Sequence, residues 1–145
     1  MVHIMLKGIP SIISPELLKI LMEMGHGDEI CIADGNFPGA SHAQRLVRAD
    51  GHGVPELLEA ILKLFPLDTY AQPLYIMQKT PGDTVETPIW DTFAEIAAPY
   101  SDAKLEQIER FEFYERAKKC YAVIMTGESA LYANLIIKKG VVVEK

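Results

Sequence analysis

What most constrains this chain is the alternation of amphipathic helical segments with short strands that have no polar face. The first pair is SPELLKILMEMGHGDEICIAD, residues 14–34. Ser14 suits an N-cap and Pro15 the first helical position, where its missing N–H costs nothing. Leu17, Leu18, Leu21 and Met24 recur at helical spacing on one face, and Gly25 suits the stop. EICIAD at 29–34 then offers small or apolar residues on both faces of a strand, which requires cover on both sides.

The same alternation continues. QRLVRAD at 44–50 reads as a strand, GHG as a turn, and VPELLEAILKLF at 54–65 as a helix with Leu57, Leu58, Ile61, Leu62 and Phe65 on one side. PLYIMQK at 73–79 is a further strand and TPIWDTFAEIAAP at 87–99 a helix opened by Pro88. DAKLEQIERF at 102–111 reads as helical, continuing through FYERAKKC at 113–120. In the tail, CYAVIMTG and YANLIIKKGVVV are strand-like runs joined by GESAL, a link too short for a helical crossover and compatible with antiparallel neighbours. The expectation is an α/β fold: one layered domain over residues 1–145, its central sheet mixed but mostly parallel and flanked by helices. In such sheets ligands lie outside the carboxyl ends of the strands, where Asp34 falls.

Several function classes are disfavoured. A net charge of -6 with no basic cluster leaves no footprint for nucleic acid or an anionic membrane surface. No apolar run is long enough to span a bilayer, and the start MVHIMLKGIPS does not read as a signal peptide, so a cytoplasmic protein is expected. Cys31 and Cys120 sit in apolar surroundings that suit buried thiols. His3, His26, His42 and His52 lack zinc-ligand spacing, so no metal is expected. GxGxxG, GxxxxGK[ST] and GxSxG are all absent, and no cofactor is expected.

His26, between two glycines just past the first helix, is the leading candidate for chemistry. The orphan carbonyls of the helix end favour an imidazolium, and Asp28 or Asp34 nearby would act in the same direction. A histidine titrating near neutrality suits proton transfer. The bland reading is a C-cap turn with an exposed histidine, and His52 in a second GHG is more readily a turn former. Arg110 and Arg116 can clamp hydroxyls or make ordinary surface pairs. Tyr114, Tyr121 and Tyr132 can meet a ligand or simply pack. Asn134 stands out, because an amide entering an apolar strand is costly unless its bonds are met by structure or ligand.

Taken together, SPELLKILMEMGHGDEICIAD, RADGHGVPELLEAILKLFPLDTYAQPL, RFEFYERAKKCYAVIMTGE and YANLIIKKGVV resemble the D-ribose pyranase and L-fucose mutarotase family over nearly the whole chain, the fucose branch more closely. The resemblance implies a ribose pyranase-like fold, assembly into rings, commonly a decamer, and sugar sites completed by a neighbouring subunit. It implies an isomerase that interconverts the α and β anomers of L-fucose by acid–base ring opening. Carried over by position, the proton donor falls on His26 and a sugar-binding aspartate on Asp34, which can orient His26 or accept a sugar hydroxyl proton. Hydroxyl-binding groups fall on Arg110, Tyr132, Ala133 and Asn134, with Tyr114 and Arg116 as secondary candidates. Another monosaccharide, ribose included, or a non-catalytic sugar-binding role stays open. DGNFPGASHAQ after Asp34 departs from the pattern, and His42 within it has no role to inherit.

Overall fold

The computed structural model describes residues 5–143. Its centre is a six-stranded sheet of β1 (Glu29–Ala33), β2 (Leu46–Ala49), β3 (Leu74–Met77), β4 (Glu106–Ile108), β5 (Ala122–Thr126) and β6 (Leu135–Lys138), in the order β2-β5-β1-β6-β3-β4. Strand pairs β1–β5, β2–β5 and β3–β4 are parallel, whereas β6 is antiparallel to both β1 and β3. Five strands therefore share one direction and β6 alone opposes them. This is the mixed, mostly parallel sheet that the sequence predicts.

Helices cover both faces. Alternate side chains of one strand point to opposite sides, and β1 shows it plainly. Ile30 and Ile32 join the larger core beneath α1 (Pro15–Glu23), α3 (Val54–Leu62) and α4 (Pro88–Ala97), while Cys31 and Ala33 join a second core beneath α2 (Gly39–His42) and α5 (Arg110–Lys119). All five residues of β5 and all four of β3 are buried. Ser14 caps α1 as expected, its hydroxyl accepting from the Leu17 N–H at 3.1 Å.

Three local expectations differ from what is observed. Residues 102–111 are not helical: Glu106–Ile108 form β4 at the sheet edge, and Glu109 then caps α5 by accepting from Phe111 and Glu112 N–H groups. An edge strand of three residues needs a partner on one side only, and Leu105 just before it and Ile108 at its end, packed against opposite faces of the sheet, also satisfy a helical spacing. The last two strands do run in opposite directions, but β1 lies between them, so the 127–134 link crosses over it. The short helix α2 inside DGNFPGASHAQ carries no apolar periodicity that would reveal it. His3 lies outside the described residues. Among those residues no helix is long and apolar enough to cross a membrane.

Candidate active site

Because five strands share a direction, their carboxyl ends gather along one edge of the sheet, and the segment entering β6 joins them there. Asp34 follows β1, Thr80 lies beyond β3, Arg110 opens α5 just beyond β4, and Tyr132 to Asn134 precede β6. A cavity of about 250 Å³ opens at this edge, and Asp34, Met77, Thr80, Arg110, Tyr132 and Asn134 contribute to its lining. Pockets for drug-sized ligands run to roughly 300–1,000 Å³, so this one suits a smaller molecule such as a single sugar ring.

Asp34 is the most constrained group in it. Its side chain is buried, with Oδ1 accepting from the Asn36 N–H at 3.0 Å in a turn typical of aspartate and Oδ2 accepting from the Ala133 N–H at 3.3 Å. Its own backbone N–H donates to Asn134 Oδ1 at 2.8 Å. Burial pushes the Asp34 carboxyl above the ordinary carboxylate range, against the pull of those N–H donors, with Glu128 adding to the rise. A raised carboxyl in a cleft is suited to exchanging protons with a ligand hydroxyl.

The remaining predicted ligand contacts surround it. Arg110 makes no ion pair among the described residues and lies with its guanidinium 4.5 Å from the Phe111 ring centre. Tyr114 packs edge-on against Phe37 and His42, giving the cavity an aromatic wall and His42 a packing role. Tyr132 has a left-handed backbone, φ 56°, unusual for a residue with a side chain and costing about 1–2 kcal/mol. That conformation turns the chain so that Ala133 N–H and Asn134 both meet Asp34.

His26 stands elsewhere. It precedes β1, whereas Asp34 follows it, so the two lie at opposite edges of the sheet, separated by a five-residue strand roughly 17 Å long. Neither Asp28 nor Asp34 is its partner. Asp28 Oδ2 instead accepts from the Gly25 N–H at 2.8 Å, and His26 Nε2 lies 3.1 Å from Oδ1 of Asp68, with the Tyr70 ring alongside. The Tyr70 N–H and His26 hold the nearly buried Asp68 carboxyl below the ordinary range. An ionised Asp68 accepts only, which fixes the proton on Nε2 and leaves Nδ1 as the atom that can exchange one. Asp68, in PLDTY, was not singled out from the sequence, since nothing local ties it to a histidine 42 residues away.

Arg116 is likewise committed to the fold. Its guanidinium grips Glu29 with two bonds, at 2.8 and 2.7 Å, and lies 3.8 Å over the Tyr75 ring. Beside it a larger cavity, about 670 Å³, is lined mainly by charged side chains of α5 and of the segment entering β1. Two of its cations, Arg116 and Lys138, already face Glu29. His52 behaves as a turn residue, its Nδ1 3.2 Å from Glu56 at the start of α3. Among the described residues, no three His, Cys, Asp or Glu side chains are grouped to hold a metal ion.

Comparison with known proteins gives a consistent picture. Residues 7–142 match the RbsD / FucU transport protein family. The chain is 54% identical over 144 residues to the fucose mutarotase of Homo sapiens, covering 94% of each chain. It is 51% identical over 140 residues to the L-fucose mutarotase of Actinobacillus pleuropneumoniae, covering 94% of this chain and 97% of that one. Among solved structures it is similar to the fucose mutarotase from Streptococcus pneumoniae in complex with L-fucose, with 50% identity, a TM-score of 0.90, and coverage of 95% of this chain and 100% of that one.

Proposed function

The chain belongs to the RbsD / FucU transport protein family, and on that premise we propose that it is a fucose mutarotase, an isomerase that interconverts the α and β anomers of L-fucose. The observation that carries this reading is the near full-length likeness, in sequence and in fold, to a fucose mutarotase crystallised with L-fucose.

The chemistry follows from what ring opening requires. The anomeric hydroxyl gives up its proton as the C1–ring oxygen bond breaks, and the ring oxygen takes one up; an aldehyde results. Rotation about the C1–C2 bond presents the other carbonyl face, and reclosure returns both protons. Asp34, its proton affinity raised by burial, takes the anomeric proton. Arg110 and the amide NH2 of Asn134 hold sugar hydroxyls. Phe37 and Tyr114 supply an apolar wall. Acid–base assistance of this kind is worth ~10²–10⁴-fold.

The acid is His26, contributed by a second copy of the chain. Within one copy it stands at the far edge of the sheet from Asp34, so a site using both is built across an interface. Exposed apolar side chains at both places support this. Tyr70 lies beside His26, while Leu131 lines the cavity and Phe111 packs against Tyr114. Asp68 holds Nε2–H, so His26 delivers its proton from Nδ1 and recovers it there. The assembly is a ring-based decamer, a copy number that sedimentation reads directly. A cytoplasmic setting belongs to the same reading and is supported by Cys31 and Cys120, both buried free thiols.

Saturation-exchange NMR on the assembled protein tests the activity. Exchange between L-fucose anomers is expected to exceed the buffer rate, and to exceed acceleration of galactose or ribose anomers. Faster ribose exchange, particularly between pyranose and furanose, would reassign the substrate. No acceleration of any of the three would leave a sugar-binding protein without catalysis.

A further inference from the structure

The loop after β3 holds the Tyr132 phenol in a way that nothing in the proposed reaction requires of it. Thr80, Pro81, Gly82 and Asp83 form a β-turn closed by the Asp83 N–H donating to the Thr80 carbonyl at 3.0 Å. Proline stands second and Gly82, at φ 86°, third, the arrangement of a type II turn. The turn aims two groups at one oxygen. The Tyr132 hydroxyl donates to Asp83 Oδ2 at 2.6 Å and accepts from the Thr80 N–H at 3.1 Å. From the other side, Trp90 Nε1–H donates to the Tyr132 carbonyl at 2.8 Å. A left-handed residue with a side chain persists only where its surroundings over-determine it, and these three bonds do so here.

The bonds also decide what the phenol can offer. A tyrosine hydroxyl has one proton and two lone pairs. Asp83 takes the proton and Thr80 one lone pair, so a single lone pair is left for the cavity. We propose that Asp83 is a positioning residue for the sugar reaction: by binding the Tyr132 hydroxyl proton it makes Tyr132 an acceptor toward a sugar hydroxyl and locks the turn that brings Ala133 and Asn134 onto Asp34. The proposal rests on the mutarotase reading. It assigns Tyr132 a fixed role, receiving a hydroxyl proton in a hydrogen bond and never donating one to the ring oxygen. Asp83 also lines the cavity, and the Asp83→Ala/Tyr132→Phe double variant separates its action through Tyr132 from any contact of its own with the sugar.

The test compares assembled wild-type protein with Asp83→Ala, Asp83→Asn, Tyr132→Phe and the Asp83→Ala/Tyr132→Phe double variant. Both L-fucose anomer exchange and L-fucose affinity by calorimetry are measured. Asp83→Ala is expected to lower kcat/KM about tenfold, the scale of a lost charge-assisted bond and a loosened site. Asp83→Asn keeps a side-chain acceptor and is expected to stay within about threefold of wild type. In the Tyr132→Phe background, Asp83→Ala should cost less than about twofold, because the two act as one unit. Asp83 is exposed on a turn, so a thermal melt that stays near wild type separates lost positioning from lost fold. Equal rates and affinities in wild type and Asp83→Ala overturn the proposal. So does an Asp83→Asn variant as impaired as Asp83→Ala, or an undiminished Asp83→Ala effect in the Tyr132→Phe background. Absence of exchange in wild type counts against the mutarotase reading instead, and the calorimetric arm then judges Asp83 through the same pattern in affinity.

Discussion

Asp34 and Asn134 meet where β1 ends and its antiparallel neighbour β6 begins: the Asp34 backbone N–H donates to Asn134 Oδ1 at 2.8 Å, and both residues are buried. One bond thus orders two groups of the candidate site at once. It fixes the loop that carries the carboxylate, and it orients the amide by occupying one lone pair of its oxygen, leaving the NH2 as the group that can donate to a ligand.

Removing that oxygen strands a buried N–H. Asn134→Ala is expected to destabilise the fold by about 1–3 kcal/mol, the cost of a buried donor left without a partner. Urea denaturation at neutral pH measures it. Exchange of fucose anomers should fall by more than the loss of folded protein explains, since the Asp34 loop loosens as well.

Asp34 is held at some cost to the fold. Its carboxyl is raised in the folded state, so whatever stability it contributes is complete below the ordinary carboxylate pKa near 4 and is lost as pH rises through the higher folded value. Asp34→Asn is therefore expected to be at least as stable as wild type at pH 8 and comparatively less so near pH 3, while losing exchange activity. Melting temperatures across that range, with activity at pH 7, check both parts.

Asp68 works in the opposite sense. Its carboxyl is lowered in the folded state, so its contribution is complete above the unfolded carboxylate pKa near 4 and disappears as pH falls through the lower folded value. The stability gap between wild type and Asp68→Asn should be present at pH 7 and should narrow progressively as pH falls below 4. Asparagine can also hold His26 Nε2 as an acceptor, which moves the ring proton to Nδ1. On that account Asp68→Asn is expected to lower kcat on the order of 10²-fold or more in protein that remains folded and assembled.

The sheet and its main helices were legible because their physics is local. Ser14 and Pro15 announce α1, and the unbroken apolar faces of EICIA and AVIMT require burial on both sides. Asp34, Arg110, Tyr114, Tyr132 and Asn134 were legible as candidates from residue type and position, and the resemblance singled them out as a site; the sheet brings them to one cavity because their strand ends share an edge. What was not legible depends on distant partners. β4 hides in a helical spacing because an edge strand asks little of its sequence. Asp68 meets His26 across 42 residues, and Asp83 meets Tyr132 across 49. The Thr80–Asp83 turn carries its own signal, proline then glycine, but that signal marks a bend and not what the bend holds.

The account stands or falls on whether His26 of one copy serves Asp34 of another. His26→Ala and Asp34→Asn, each inactive alone, should regain activity when unfolded together in equal amounts and refolded into mixed rings. If each site draws one residue from each of two neighbours, about one quarter of the sites contain both native groups, so L-fucose anomer exchange should return to about one quarter of the wild-type rate. Mixed rings that stay at the buffer rate, with assembly verified by sedimentation, would contradict it.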